Sequence, residues 1–349
     1  MSSITDYLKE KRLLQRGEED IIGRIAPEVL NELTCVLENR SRRFECDGTI
    51  RNMSRMNMQS ILSRMLIERL ENKAEAILKR AEKCCRNWEE VLFRTLVQSF
   101  GFGIQSKEFE ELSEIIDFNA LGKHRDSLLQ IETILFGQAG LLEEESIPHY
   151  YRSEATAGSY YKELVREYRF FCAKFNLQSM DHKRWSSGHG TPHLRIARIA
   201  AIYHSHKFSL AEIAACYTTT QLYSTLCVPL QGYWFCHGCF GGTESYGNDK
   251  LKTRQADVLI INSVVPVMYV YGKYRNDSAL CSKAEDFLYS LKSEENSIIK
   301  RWKEKGLEPE NAADSQALLQ LWRGYCQTNS CDKCPVAYHH IKAMLAEHQ

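Results

Sequence analysis

The stretch RMNMQSILSRMLIERLENKAEAILKRAEK, residues Arg55–Lys83, decides the fold class of this 349-residue chain. Its apolar side chains recur at the three- and four-residue spacing of one helix face, and arginines, lysines and glutamates occupy the opposite face. The apolar stripe consists of Ile61, Met65, Leu66, Leu70, Ala74, Ile77 and Leu78. The pattern predicts a long amphipathic helix that packs through one face.

The next segment, NWEEVLFRTLVQSFGFG at residues 87–103, has the start and stop signals of a second helix. Asn87 suits the N-cap position, and two glutamates follow in the first turn, where the helix dipole favours negative charge. Glycines close the segment, as they commonly do at helix ends. Similar short amphipathic segments occur along most of the chain.

A near-continuous apolar run, ADVLIINSVVPVMYVYGKY at residues 256–274, allows either a buried strand or a buried helix. Its β-branched residues would suit a strand, but no neighbouring segment offers a strand partner. We therefore predict a buried helix that is kinked at Pro266. Together these segments predict an all-α, multi-helix array, with small hairpins confined to loops.

The polar segment EEESIPHYYRS, residues 143–153, interrupts the helical pattern and marks the predicted boundary between subdomains. On this basis residues 1–145 form an amino-terminal helical subdomain. Residues 154–349 form a carboxyl-terminal helical subdomain that ends in a cysteine-rich tail. No repeat of fixed period and no low-complexity segment accompanies this division.

The composition limits the classes of protein to which this chain can belong. With 45 acidic and 45 basic side chains, the molecule as a whole has no electrostatic preference for nucleic acid or anionic membranes. It contains no apolar run of membrane-spanning length, and its first residues lack the apolar core of a signal peptide. We expect a cytoplasmic protein without a membrane partner, whose 13 cysteines are reduced thiols or metal ligands.

The tail GYCQTNSCDKCPVAYHH, Gly324–His340, concentrates ligand-type side chains. Cys326, Cys331 and Cys334 supply three thiols, and His340 lies one to two helical turns beyond, where its ring could be a fourth ligand. The start of a helix at Pro335 favours thiolates through its partly positive end. Three cysteines and a histidine fit zinc better than an iron–sulfur cluster by ligand type.

The alternative for this tail needs no metal. Cys326 would then pack in the core, and the pair Cys331 and Cys334 would be a surface turn without an ion. The fourth ligand decides between the two interpretations, because three thiols alone do not complete a tetrahedral site.

Several motifs, in order, resemble a known family. NWEEVLFRTLVQSFGF, ETILFGQAGLL, TPHLRIARIAAIY, INSVVPVMYVYG, ADSQALLQLWRGYC and CDKCPVA are similar to the carboxyl-terminal two thirds of the bacterial family called domain of unknown function 2851. The resemblance covers about residues 40–340 and implies a bacterial cytoplasmic protein. It carries over the three tail cysteines as a structural site, but neither His340 nor any catalytic residue. The family's amino-terminal segment, which resembles restriction-endonuclease-like proteins, precedes the part that this chain matches.

Basic and aromatic side chains alternate in YYRSEATAGSYYKELVREYRFF, residues 150–171, and further arginines and lysines follow. Such a mixture suits phosphate contacts and base stacking. The candidate nucleic-acid contacts are Arg40, Arg42, Arg43, Arg166, Arg169, Lys183, Arg184 and Arg195. The alternative is that these residues form solvated helix faces whose aromatic side chains belong to the core.

Three functions therefore remain open from the sequence. The first is a noncatalytic helical module that binds nucleic acid or docks onto a nuclease-like protein, with the cysteine tail as a structural metal clip. The second is a protein-interaction scaffold without a ligand. The third is an enzyme with a histidine and arginine site near residues 182–198, where His182, His189 and His193 occur.

Overall fold

The structure, a computed structural model, describes residues 31, 34, 46–185, 192–245 and 250–347. Every regular element within these ranges is a helix, and none of them contains a strand. The all-α prediction is therefore confirmed. The small hairpins expected in loops do not occur in this part of the chain.

The described part of the chain contains the following α-helices. In chain order they are α1 Asp47–Asn52, α2 Arg55–Lys83, α3 Trp88–Ser99, α4 Ser106–Ile115, α5 Phe118–Lys123, α6 Leu128–Gln138, α7 His149–Ala157, α8 Ser159–Phe175, α9 His193–His204, α10 Leu210–Ala215, α11 Thr219–Leu226, α12 Tyr233–Cys236, α13 Thr253–Arg275, α14 Ser278–Ser290, α15 Ser297–Glu304, α16 Ala312–Leu321 and α17 Pro335–Glu347.

The apolar stripe predicted for α2 is buried along most of its length, including Met65, Leu66 and Leu70. The predicted burial does not extend to Leu78, which is 44% exposed, whereas Arg80 is only 9% exposed. An α-helix repeats every 3.6 residues, so a stripe drifts around a helix of this length. Near its end the buried face of α2 therefore continues through Ala81 rather than Leu78.

The predicted cap of α3 is present, since the backbone N–H of Glu90 donates to Asn87 Oδ1 at 3.4 Å. The helix ends at Ser99, just before the glycines at 101 and 103. Residue Phe93 and its neighbours in α3 form part of the core.

The apolar run at residues 256–274 lies within α13, as predicted. A wide π turn, Ile260–Val264, immediately precedes Pro266, whose missing N–H leaves a carbonyl one turn earlier without its usual donor. Lys73 Nζ donates to the Ile261 carbonyl at 3.1 Å and thus supplies a donor at this turn. The helix packs against α3 and α14. It is long and apolar enough to cross a membrane, but 72% of its most apolar window is buried inside the fold, as in a core helix.

The chain divides into two compact units, one discontinuous and one continuous. The first comprises Met1–Asn72 and Lys292–Gln349, and the second comprises Lys73–Leu291. The polar segment at residues 143–153, where the sequence suggested a boundary, belongs to the second unit. Buried Ile147 and a 2.8 Å hydrogen bond from Tyr161 Oη to the Leu142 carbonyl anchor this segment.

Candidate metal centre

The segment after α16 turns sharply and carries the three tail cysteines. Cys326 ends the π turn Trp322–Cys326, in which the Gln327 backbone N–H donates to the Trp322 carbonyl at 2.7 Å. Such turns are rare and occur frequently at functional sites. Cys331 opens a 3₁₀ turn, and the Cys334 N–H donates to the Cys331 carbonyl at 3.1 Å. These turns direct the tail along the wall of a single cavity.

The cavity has a volume of about 400 Å³ and lies within the first unit. Four cysteines line it: Cys46, Cys326, Cys331 and Cys334. Its other lining residues include Trp302, Trp322, Tyr325 and an ion pair between Lys305 and Asp47. The structure thus brings together the three cysteines that the sequence singled out and adds a fourth.

Cys46 was not recognised from the sequence. It stands at the N-cap position of α1, where its carbonyl accepts from the Ile50 N–H at 2.9 Å. The surrounding residues, FECDG, include no second cysteine and no histidine at ligand spacing. Nothing local therefore distinguishes Cys46 from the other cysteines of the chain, and only the tertiary fold identifies it.

His340, the fourth ligand suggested by the sequence, does not line this cavity. Its Nδ1 lies 2.8 Å from Thr49 Oγ1, a residue of α1. The neighbouring His339 Nε2 lies 2.8 Å from the side-chain amide of Asn57. Both imidazoles thus contact polar side chains of α1 and α2, and the fourth thiol that lines the cavity belongs to Cys46.

The environment of Cys334 combines burial with helix-end donors. Burial raises the pKa of this thiol to about 11, although the backbone N–H groups of Val336 and Ala337 lower it in part. These donors belong to the first turn of α17, so the predicted position of the thiol beside a helix N-terminus is present. Burial also raises the pKa of Cys46, and Lys305 opposes that shift.

The spacing of the thiols distinguishes between two kinds of metal site. A tetrahedral zinc ion bound by four thiolates holds them roughly 3.8 Å apart, given Zn–S bonds of about 2.3 Å. Among the described residues, the group whose ligand atoms all lie within 4.8 Å of one another is Cys236, His237 and Glu244. No three of the four cavity cysteines, all of them described residues, form such a group.

A polar network supports one wall of the cavity. Tyr325 Oη donates to Glu68 Oε2 at 2.8 Å, and Gln320 Nε2 donates to Glu68 Oε1 at 2.9 Å. Gln320 is 3% exposed. Because buried polar groups are costly when they lack partners, these bonds fix the direction of the Tyr325 ring toward the cavity.

Some candidate nucleic-acid contacts lie outside the described residues, namely Arg40, Arg42 and Arg43. Of the others, Arg166 Nη2 lies 3.6 Å from a carboxylate oxygen of Glu167 and 3.9 Å from one of Glu163. These exposed ion pairs lower the net positive charge that the helix face would present to phosphate.

Two further arginines also have partners within the second unit. Arg184 Nε lies 3.3 Å from Glu111 Oε2. Arg195 Nη1 donates to the Phe100 carbonyl at 3.3 Å, and its guanidinium lies 5.3 Å from the centre of the Phe109 ring.

The last two candidates differ in their surroundings. Arg169 lines a cavity of about 350 Å³ together with Glu143, Glu144 and Glu145. The side chain of Lys183 is exposed. These contacts do not test nucleic-acid binding by these residues, which stays a prediction.

The two described histidines of the suggested enzyme site, His182 and His193, have different neighbours. His182 Nδ1 lies 2.5 Å from Glu143 Oε2 on the surface. His193 is buried against the rings of Phe136, Trp234 and Phe240. Neither nitrogen of its ring has a hydrogen-bond partner among the described residues, and burial lowers its pKa to about 3. His189 lies outside the described residues.

Comparison with known proteins identifies the family. A family model described as "Protein of unknown function (DUF2851)" matches residues 20–297, which is most of the chain. The chain belongs to the DUF2851 family. No curated protein and no solved structure matches it.

Only one of the four cavity cysteines lies within the residues that match DUF2851. Cys46 lies inside the matched range, whereas Cys326, Cys331 and Cys334 follow residue 297. The motifs in α3, α6, α9 and α13 that carry the resemblance are inside it. The cysteine tail therefore lies beyond the matched residues. The candidate metal site is inferred from the geometry of this chain alone.

Proposed function

We propose that this DUF2851 protein is a noncatalytic helical module whose first unit holds an iron–sulfur cluster through Cys46, Cys326, Cys331 and Cys334. The observation that carries the proposal is that all four thiols line one cavity of about 400 Å³. Four cysteine thiolates are the usual ligand set of iron–sulfur clusters.

The choice between a cluster and a zinc ion follows from the spacing. In a cluster each thiolate binds a different iron atom, or shares one with a single other thiolate, so the ligands surround a larger object than one ion. The cavity volume of about 400 Å³, and the fact that no three of its cysteines have ligand atoms converged within 4.8 Å, support this arrangement. The set of three cysteines and His340 suggested zinc; with Cys46 as the fourth cysteine we propose a cluster instead, and zinc bound by four thiolates is the alternative.

A structural role follows from the identity and position of the ligands. Four protein ligands leave no open coordination position, which is typical of structural rather than catalytic metal sites. Cys46 precedes α1, and the other three cysteines lie between α16 and α17. The bound group would connect the two chain segments that make up the first unit, and its binding free energy would contribute to the folding of that unit.

The test is metal and sulfide analysis of full-length protein purified without oxygen. We expect iron and acid-labile sulfide in the wild-type protein and their loss in Cys46→Ser. Two matched controls should retain both: Cys85→Ser, which changes an exposed cysteine of the second unit, and His340→Ala. Protein that contains only zinc, or that keeps its iron in Cys46→Ser, would overturn the proposal.

A nucleic-acid or nuclease-like partner and a cytoplasmic location accompany this proposal as predictions from the sequence. A titration of the protein with single- and double-stranded DNA and RNA at two salt concentrations tests the first. Binding through phosphate contacts weakens steeply as salt rises. Absent or salt-insensitive binding would favour the alternative of a protein-interaction scaffold.

A further inference from the structure

We infer that the second unit contains a separate zinc site, formed by Cys236 Sγ, a ring nitrogen of His237 and the carboxylate of Glu244. This site shares no residue with the four-cysteine cavity and does not depend on the function proposed above. Three protein ligands would leave one tetrahedral position for water or another small ligand.

The ligand atoms already lie close to one another. Those of Cys236, His237 and Glu244 are all within 4.8 Å of one another. A zinc ion with ligands at 2.0–2.3 Å requires separations of roughly 3.3–3.8 Å between them. The upper limit of 4.8 Å exceeds this range by about 1 Å.

An aromatic support holds His237 in place. Its ring stacks on the ring of Tyr233, with centroids 4.0 Å apart and an interplanar angle of 10°. Tyr233 stacks in turn on Tyr160, at 4.6 Å and 16°. His237 Nδ1 also lies 2.9 Å from the Tyr233 carbonyl. Metal-binding histidines commonly have such a backbone partner, which orients the ring.

The loop after α12 returns Glu244 to Cys236 through backbone contacts. The Ser245 N–H donates to the Cys236 carbonyl at 2.6 Å, and the Gly241 N–H donates to Tyr233 Oη at 2.9 Å. Gly241 has a φ of +67°, and a Cβ there would lie 2.3 Å from the Tyr151 carbonyl oxygen. Only glycine fits this position, so the course of the loop is fixed by the fold.

The nearby Cys239 has a different environment and provides a control. It is 8% exposed, and its Sγ packs so closely on Gly242 that a Cβ there would lie 2.8 Å away. It does not belong to the group of converging ligand atoms. Cys236 and His237 are half-buried and Glu244 is exposed, so an ion could enter from solvent without unfolding of the loop.

The set of ligands selects the metal. One thiolate, one imidazole and one carboxylate match the borderline character of zinc better than that of magnesium or calcium, which prefer oxygen ligands alone. A site of three protein ligands and one open position is also the arrangement of catalytic zinc sites. The chemical class of ligand is therefore a divalent zinc ion with one exchangeable position.

The experiment uses the full-length protein and the metal ions alone. Titration with Co²⁺, read by thiolate-to-cobalt absorption, is followed by competition with Zn²⁺ and by metal analysis after dialysis. The wild-type protein should retain one more zinc equivalent than Cys236→Ser or Glu244→Gln. Loss of a direct ligand should weaken zinc binding by at least ~100-fold, since even outer partners of metal ligands contribute 10–100-fold.

Two controls separate this site from the other one. Cys239→Ser should keep the extra zinc equivalent, and Cys236→Ser should keep the iron content of the wild type. Glu244→Gln changes an exposed side chain and serves as the decisive variant if Cys236→Ser does not fold. Equal zinc stoichiometry in the wild type and Glu244→Gln would overturn the inference, whatever the outcome for the four-cysteine cavity.

Discussion

The hydroxyl of Tyr160 donates a 2.9 Å hydrogen bond to Glu132 Oε2 in the interior of the second unit. Tyr160 Oη accepts in turn from Trp234 Nε1 at 2.7 Å. Glu132 is 5% exposed, and its burial raises the pKa of the carboxyl from 4.5 to about 7, although the bond from Tyr160 lowers it in part. A buried acid in this fold thus titrates near neutral pH.

This shift predicts how stability depends on pH. Because the folded protein binds the proton of Glu132 more tightly than the unfolded chain does, its stability should fall as pH rises from 4.5 to above 7. The loss amounts to about 3 kcal/mol at most, from 1.36 kcal/mol per pKa unit. Glu132→Gln should remove this slope, as measured by urea denaturation between pH 5.5 and 8.5. Glu163→Gln, which changes an exposed glutamate of α8, should leave the slope unchanged.

His193 predicts the opposite dependence at lower pH. Its pKa is lowered from 6.5 to about 3, so the unfolded chain binds the proton more tightly and stability should fall as pH drops below 6.5. The full effect is of the order of 5 kcal/mol and opposes that of Glu132 between pH 4.5 and 6.5. His193→Gln should reduce acid sensitivity in denaturation experiments between pH 7 and 4. An unchanged acid transition in His193→Gln, or an equal change in the exposed control His149→Gln, would contradict this explanation.

The sequence predicted the elements of the fold better than their partners. The stripe in α2, the cap at Asn87 and the helical course of residues 256–274 all follow from local spacing, which a single helix imposes on its own residues. The discontinuous first unit could not be found in this way, because composition marks breaks along the chain and not contacts between its distant parts. The burial of Glu132, in contrast, is indicated by the sequence, because this residue begins the apolar segment ETILFGQAGLL.

The candidate metal centre shows the same limit. Cys326, Cys331 and Cys334 are close in sequence, so their spacing alone indicated a site. Cys46 joins them only through the tertiary fold. Local spacing could suggest His340 as a fourth ligand, but it could not point to Cys46.

The buried Arg80 of α2 predicts a large difference between neighbouring substitutions. Its Nη1 donates to Thr95 Oγ1 at 2.9 Å, and its Nη2 donates to Gln98 Oε1 at 2.8 Å. Arg80→Met should lower the free energy of unfolding by about 2–4 kcal/mol, because it leaves buried Thr95 and half-buried Gln98 without this donor and replaces a planar group. The exposed neighbour Lys79, paired with Glu75 at 2.7 Å, provides the control.

Lys79→Met should leave the free energy of unfolding almost unchanged, since exposed i,i+4 ion pairs contribute little. The midpoint of urea denaturation of the two variants compares them directly. Equal losses would show that Arg80 is as replaceable as a surface residue.

Two glycines in helices of the second unit predict effects of opposite sign. A Cβ at Gly137 of α6 would lie 2.1 Å from ring carbons of Tyr168, whereas one at Gly122 of α5 would find Tyr203 Oη at 3.8 Å as its nearest neighbour. Gly137→Ala should therefore lower the free energy of unfolding by about 2 kcal/mol or more, because the helices cannot approach as closely. Gly122→Ala should raise it by about 0.5–1 kcal/mol, because alanine favours the helix and restricts the unfolded chain.

A double-mutant cycle identifies the contact responsible at Gly137. If the ring of Tyr168 is the obstacle, Gly137→Ala should cost much less in a Tyr168→Ala background than in the wild type, with a coupling above about 1 kcal/mol. Thermal or urea denaturation of the four proteins measures this coupling. Additive losses would show that Gly137 is required for another reason, and a destabilised Gly122→Ala would show that space at that helix is also limiting.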